Sequence, residues 1–535
     1  PFNSPGIIDG KLVTINPGKY EGILMNNNAL ARYYGQGYDR NTSNTMNMDL
    51  SLTQKLDFIT KGLSVEVKGA YNTSYSFLQQ RHGSVESYTP YYQSELENPD
   101  LDIKDPAYNK TIVYRVDGQN KRLGYAEKTY RGRNWYFEAS LRYNRKFGDH
   151  NVGGLLLYNQ SKKYYPAQYS DVPAAYVGLV GRLTYDYKSR YMAEFNFGYN
   201  GSENFAPGKR FGFFPSIAGG WVISNEPFWK GIKDKVNLFK VRASYGLVGN
   251  DVISSNYKDR FPYLSTVAMD QMYDVMIGTN FDQKWGPILS IYGNEDATWE
   301  ESHKLDIGVE IGLFDSLNII FDWFKEKRSG IFMQRSSLPS SFGMSGITPW
   351  GNIGKVDNRG VDISIDYNKA FSKDLILSLR GTFTYAHNEI VSMDEPQYKW
   401  GYQYKKGHPI NSINCLIAEG LYRDEKDIAS SPKSVYATRY PLQPGDIKYK
   451  DLNNDEVIDD NDKCWNGNPT IPEIIYGFGF SLKYKGFDCS AFFQGQGKIS
   501  LIMYDAHPFS TKAKPGFGLV QWIADEHWSA VSYTH

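Results

Sequence analysis

The sequence predicts an all-β fold, a transmembrane antiparallel β-barrel with long extracellular loops. Three observations carry this. Segments that alternate apolar with polar side chains come in seven pairs, each pair joined by a turn. Connections within the pairs are mostly two to five residues, and connections between pairs are far longer. Outer-membrane barrels show this asymmetry, with short periplasmic turns and long outer loops. The chain also holds 42 tyrosines, and Tyr and Trp suit a membrane–water boundary.

The clearest pair runs from Lys304 to Lys325. Leu305, Ile307, Val309, Ile311 and Leu313 share one face; Lys304, Asp306, Gly308, Glu310 and Gly312 share the other. After Phe314-Asp315-Ser316 the alternation resumes with Leu317, Ile319, Phe321 and Trp323. The wet face carries charges of both signs. A soluble sandwich would bury the greasy face and leave the wet one in bulk water. A barrel gives the greasy face to lipid and the charged face to a lumen, and the loop asymmetry favours the barrel.

The predicted strands are 44–53 with 63–72, 134–146 with 150–159, 176–187 with 190–200, 214–223 with 236–246, 303–313 with 317–326, 359–368 with 374–386, and 475–484 with 487–496. Gly148-Asp149, Asp315-Ser316 and Lys485-Gly486 supply turn chemistry. Two within-pair connections are longer, 54–62 and 224–235, and the second suits a helical turn. Barrels of 16–18 strands form open porins and 22-stranded ones are plugged transporters, and fourteen strands in a chain that reads as incomplete point upward in size. The whole of 1–535 reads as part of one barrel domain, with 387–474 a large extracellular insertion.

Several classes are excluded. No run of 18 apolar residues exists, so no transmembrane helix is expected. Net charge is zero, which gives no general attraction to nucleic acid. Catalysis finds little support: the eight histidines are dispersed, and Gly495-Gln496-Gly497-Lys498 lacks phosphate-loop spacing. Glu295, Asp296, Glu300 and Glu301 read as a solvated loop end rather than a glycosidase acid pair. Cys415, Cys464 and Cys489 match no zinc spacing; a Cys415–Cys464 disulfide is compatible with an oxidising compartment. Pro1-Phe2-Asn3-Ser4 does not read as a natural start, no plug-like segment is visible, and clear alternation is not regained between residue 496 and His535. The expectation is a fragment of a longer protein.

Long loops on a rigid scaffold are where binding residues sit. Trp285, Trp350, Trp400, Tyr402 and Tyr404 lie in long connections and are candidates to stack on a ligand such as a sugar ring. The sharpest local motif is Asp451-Leu452-Asn453-Asn454-Asp455-Glu456-Val457-Ile458-Asp459-Asp460-Asn461-Asp462. Asp451, Asn453, Asp455, Asp459 and Asp462, with the Val457 carbonyl, fall at the ligand positions of a calcium loop. Two departures stand out: Glu456 replaces the usual Gly at the sharp turn, and Asp462 replaces a longer Glu. The expected role of a bound calcium ion is structural.

Phe214-Pro215-Ser216-Ile217-Ala218-Gly219-Gly220-Trp221, running into Asn225-Glu226-Pro227-Phe228, resembles a stretch of SusC/RagA-type TonB-dependent outer-membrane transporters. Lys240-Val241-Arg242-Ala243-Ser244-Tyr245-Gly246, Trp299-Glu300, Gly351-Asn352-Ile353-Gly354 and Asn358-Arg359-Gly360-Val361-Asp362 fit the same family. So does Pro444-Gly445-Asp446-Ile447-Lys448-Tyr449-Lys450-Asp451, continuing to Gly467-Asn468-Pro469 and Tyr476-Gly477-Phe478. The resemblance implies an outer-membrane importer with a 22-stranded barrel and an N-terminal plug. It further implies a SusD-like surface lipoprotein lid, energy from TonB–ExbB–ExbD and a Bacteroidetes source. Oligosaccharide fragments are the expected cargo. Peptides, metal chelates or vitamins, a passive pore, and a secreted carbohydrate-binding or hydrolytic protein are the alternatives.

Overall fold

At Lys485-Gly486 both residues take positive φ, 45° and 87°. That is the two-residue hairpin whose twist matches its strands. Phe314-Asp315 (53° and 51°) and Lys188-Ser189 (53° each) turn the same way at two other hairpins. These turns lie at one end of a computed structural model that describes residues 7–13, 37–102, 104–165, 171–253, 260–277, 280–338, 349–437 and 441–502, with positions 33, 35 and 341.

Fourteen strands form one antiparallel sheet whose spatial order is the order of the chain. They are β1 (Tyr38–Lys55), β2 (Leu63–Arg81), β3 (Ala126–Phe147), β4 (His150–Tyr164), β5 (Ala174–Tyr187), β6 (Tyr191–Ser202) and β7 (Phe211–Val222). After them come β8 (Val236–Asn250), β9 (Glu300–Leu313), β10 (Leu317–Gln334), β11 (Trp350–Ala370), β12 (Leu375–Ser392), β13 (Ile474–Tyr484) and β14 (Phe487–Gly497). All seven expected hairpins are present. The 224–235 connection does hold helical turns, 3-10 segments at Ile223–Asn225 and Pro227–Ile232.

Many strands run past the expected ends, and mostly toward the long loops. β2 continues to Arg81, and β10 continues through a bulge beside Gly330 to Gln334. Beyond the lipid zone both faces are wet, so alternation fades while the hydrogen-bond ladder goes on. Within the zone the greasy face is continuous. Tyr143, Gly154, Leu183, Phe195, Ile217, Tyr245 and Leu305 follow one another in register across seven strands. Leu183 and Ile217 are 61% and 60% exposed. Holding such side chains in water rather than an apolar medium would cost ~1.5–3 kcal/mol each, so lipid is the natural solvent for this face.

Aromatic rings mark its two edges. Near the turns, Tyr191 stacks between Tyr187 (6.5 Å) and Trp221 (6.1 Å). Toward the loops, Tyr199 stacks on Phe211 at 5.2 Å. At ~3.3 Å per residue and ~40° of tilt, Tyr191 and Tyr199 stand roughly 20 Å apart along the membrane normal, close to the ~25 Å apolar band of such walls. No helix among the described residues is long and apolar enough to cross a membrane.

The buried core is small and lies at the loop end. Phe205, Phe214, Ala297, Trp299 and Phe332 form one cluster, with Leu247, Ile253 and Trp350 against it. The long connections carry structure of their own. Ser87–Tyr92 pairs with Ile112–Gly118, and Thr266–Ile277 pairs with Asn280–Ile291. In the longest, Ile413–Cys415 pairs with Cys464–Asn466, Ala418–Leu421 with Ile447–Tyr449, and Lys433–Ser434 with Val457–Ile458. The expected loss of alternation toward His535 falls on 503–535, outside the described residues, as do Pro1, Phe2, Asn3 and Ser4.

Candidate functional site

Alternation puts every second side chain of the wall on the face opposite lipid, and there the charges meet in pairs. Glu66 binds Arg142 at 2.8 Å, Arg182 binds Glu194 at 2.7 Å, and Lys240 binds Glu310 at 2.9 Å. Arg242 lies in register with Gly308, which lies in register with Asp322, then Asp362, then Thr384. Having no side chain, Gly308 leaves a gap. Nη2 of Arg242 crosses it to reach both carboxylate oxygens of Asp322, at 2.7 and 2.8 Å. Thr384 donates its hydroxyl to Asp362 at 2.6 Å. Around Arg242 and Lys240 stand four carboxylates, Asp306, Glu310, Asp322 and Asp362, so this stretch of inner wall is net acidic. On the other side of Lys240 and Arg242 a cavity of about 760 Å³ opens, its charged lining Arg145, Lys146, Lys240 and Arg242 against Asp186 and Glu194. One cavity touching strands from β3 to β8 marks this side as concave.

At the loop end, residues 398–405 fold into an aromatic tray. Trp400 stacks on Tyr402 (6.2 Å, 17°), and Tyr404 meets Tyr398 edge-on at 5.1 Å. Lys399 sits 4.5 Å from the Trp400 ring centre, and Lys405 lies 4.9 Å from that of Trp465. Trp465 donates its indole N–H to the Gln403 carbonyl at 3.0 Å, and Tyr402 donates its hydroxyl to the Asn461 carbonyl at 2.8 Å. The first bond ties Trp465 to the tray, and the second lashes the tray to the acidic loop.

Three of the five expected stacking residues are thus together: Trp400, Tyr402 and Tyr404. Trp350 is elsewhere, stacked on Phe332 at 5.7 Å beside the buried cluster. The backbone of Trp285 pairs with Met272 in a loop hairpin, and its side chain lies outside the described residues. Tyr398 and Trp465 complete the tray and were not foreseen. Their nearness in sequence to Tyr404 and to the acidic motif was the available signal.

The acidic loop is held by its own amides. Asp451 accepts from the N–H groups of Asn454 (2.7 Å) and Glu456 (2.9 Å). Asn453 accepts from the Asp455 amide (2.9 Å), and Asp455 from the Val457 amide (3.0 Å). Asp459 accepts from the Asn461 amide (2.7 Å). Asp462 is fully buried and accepts from Leu452 and Asp459, each at 2.9 Å. Glu456 adopts φ 62°, so the sharp turn expected of Gly is made here by Glu. Burial and the nearby charges of Asp462, Asp451 and Asp455 raise the pKa of the Tyr402 phenol. The backbone course fits a cation loop. The side-chain oxygens are committed to amides, and among the described residues no three His, Cys, Asp or Glu side chains converge in metal-holding geometry.

Of the four carboxylates set aside as a catalytic pair, Asp296 and Glu300 are ion-paired. Lys209 binds Asp296 and lowers its pKa, and Arg328 holds Glu300 at 3.1 Å.

A wall with a lipid face and a charged concave face, tight turns below and folded loops above, defines an outer-membrane β-barrel protein. The family model described as "TonB dependent receptor-like, beta-barrel" matches residues 8–488, and the chain belongs to that family. It is 28% identical over 407 residues to TonB-dependent receptor P3 of Formosa agariphila, covering 69% of this chain and 39% of that protein. It is 26% identical over 322 residues to TonB-dependent receptor SusC of Bacteroides thetaiotaomicron, covering 59% of this chain and 30% of that protein. The structure of the RagAB peptide transporter shares the fold, with a TM-score of 0.61 at 16% identity over 85% of this chain and 48% of that one. The chain therefore spans less than half the length of these relatives.

Proposed function

We propose that this chain is the wall and outer-loop portion of a SusC-type importer that brings oligosaccharides across the outer membrane. The single observation that carries the cargo reading is the tray at 398–405. Parallel rings such as Trp400 and Tyr402 offer flat apolar faces, and Lys399, Lys405 and Gln403 stand beside them for hydroxyls. Sugar rings present an apolar face and a polar rim, and so suit such a surface. In this reading the protein acts by passage, not by catalysis. Uptake draws energy from TonB–ExbB–ExbD, a SusD-like lipoprotein covers the loops, and the fourteen strands belong to a larger closed barrel with a plug.

The test is binding to the full-length protein, purified with whatever lipoprotein accompanies it, using a panel of oligosaccharides in titration calorimetry. A binder should emerge, and Trp400→Ala should weaken it about tenfold, the loss of one stacking contact of ~1.4 kcal/mol. Trp350→Ala, away from the tray, should leave affinity unchanged. Absence of any glycan binder, or equal loss from both variants, would remove the reading. The second reading is a peptide cargo, favoured by the net-acidic inner wall around Asp322 and Asp362, which suits cationic side chains; RagAB is itself a peptide transporter. A peptide library on the same sample decides between them.

We also propose that calcium binds the 451–462 loop as a brace, with Asp451, Asn453, Asp455, Asp459 and Asp462 and the Val457 carbonyl supplying oxygens. The left-handed Glu456 supports it. Calcium titration should release heat that vanishes in Asp451→Ala/Asp455→Ala. A flat titration of the unaltered protein would end the idea.

A further inference from the structure

Cys415 and Cys464 face each other directly across two short antiparallel strands, Ile413–Cys415 and Cys464–Asn466. Directly opposed residues in an antiparallel pair have Cα atoms ~4.5–5.5 Å apart and side chains on one face. That lies inside the ~4.4–6.8 Å Cα range of a disulfide. Cys464 is buried and Cys415 half-buried, and both carry free thiols in the structure. Burial, and then the neighbouring Cys415 sulfur, hold the Cys464 thiol above the ordinary range. Both residues stand on the outer side of the wall, reached only through an oxidising envelope compartment.

We propose that Cys415 and Cys464 are joined in the mature protein by a disulfide that closes the neck of the largest outer loop. The described residues between them include the pair Ala418–Leu421 with Ile447–Tyr449, the helix Glu425–Ala429 and the acidic loop, which together make one lobe. The neck carries the tray as well, because Trp465, next to Cys464, holds the Gln403 carbonyl. A strand pair of three residues per side is too short to persist alone, and a covalent link would keep it paired while a ligand or a partner pulls on the lobe.

The chemistry balances as thiol–disulfide exchange with a disulfide-bearing oxidant of the envelope. The thiolate of Cys415, the more accessible of the two, attacks the oxidant's S–S bond. That bond breaks and a mixed disulfide forms. The Cys464 thiolate then attacks the Cys415 sulfur, the Cys415–Cys464 bond forms, and the oxidant leaves as a dithiol with the two electrons and two protons. Cys489, exposed on the lipid side of β14, has no such partner among the described residues.

The test uses the full chain isolated from outer membranes, denatured in excess alkylating reagent and digested without reduction. Mass spectrometry should find a cross-linked peptide joining Cys415 to Cys464 in most molecules, with Cys489 alkylated. In Cys464→Ser the cross-link should vanish and Cys415 should become alkylated; in Cys489→Ser the cross-link should persist. Alkylation of both Cys415 and Cys464 to the extent of Cys489 in the unaltered protein would overturn the proposal, and so would a predominant cross-link to Cys489. Limited proteolysis within 416–463 should speed up about tenfold on reduction, with the wall unaffected.

Discussion

Arg242 and Asp322, two strands apart, meet over a glycine: Nη2 of Arg242 donates to both oxygens of Asp322, and the residue between them in register is Gly308. A Cβ at Gly308 would stand 2.2 Å from an Asp322 oxygen and 2.8 Å from Arg242 Nε. One of the three groups must then move. Gly308→Val should break the bridge and cost ~1–3 kcal/mol, the penalty for a partly buried charged group losing its partner. Heat-dependent gel mobility of the barrel reads this as a lower melting temperature. Gly381→Ala, with nothing within 4 Å of the new Cβ, is the matched control and should melt as the unaltered protein does.

Neighbouring residues on opposite faces should answer oppositely to charge. Arg182 is ion-paired on the concave side, and Leu183 faces lipid, about midway between the two aromatic edges. Leu183→Arg should destabilise the inserted wall by ~2–4 kcal/mol, the depth-dependent cost of a charge near the bilayer midplane. Leu183→Phe should not. Reversible urea unfolding in liposomes measures the difference.

Trp299 joins the outer connections to the strands. It is buried, meets Phe205 and Phe214 at 5.4 and 5.2 Å, and donates its indole N–H to the Arg210 carbonyl at 3.2 Å. Trp299→Ala should cost ~3–5 kcal/mol locally. Because the cluster lies at the loop end, the loss should appear as faster proteolysis in 203–210 and 292–299, while membrane insertion is retained.

The lobe above the neck should loosen in acid. Asp427 accepts from Lys448 Nζ at 2.9 Å and from the Arg423 amide at 3.2 Å, which lowers its pKa to about 2. A depressed carboxylate contributes stability above its unfolded value of ~3.9, and that stability is lost as pH falls toward its folded value. Hydrogen exchange in 418–449 should therefore rise between about pH 4 and pH 2. In Lys448→Met the same segment should exchange faster at neutral pH and show less change on acidification.

The wall was legible in the sequence because one period, two residues, repeats wherever lipid faces one side. Leu305 through Leu313 could be assigned to a face without knowing any partner. Where lipid ends, that rule ends. The run of β2 from Thr73 to Arg81 mixes Tyr75, Phe77 and Leu78 with Thr, Ser, Gln and Arg and has no clean alternation, and its ladders to Tyr38–Met46 of β1 and Ala126–Arg133 of β3 keep it extended. The site was less legible, since stacking depends on who folds back onto whom. Trp350 and Trp400 are alike as sequence, yet one packs against the buried cluster and the other belongs to the aromatic tray. Glu456 departed from the expected Gly, and the backbone turned left-handed regardless, held by the Asp451 carboxylate on its amide.

The sheet keeps the order of the chain throughout, so each long excursion leaves one strand and returns to its immediate neighbour. Lengthening, shortening or exchanging an excursion therefore moves no other strand and alters no register. Such a wall lets evolution revise the outer surface one loop at a time, with the membrane-spanning part inherited unchanged.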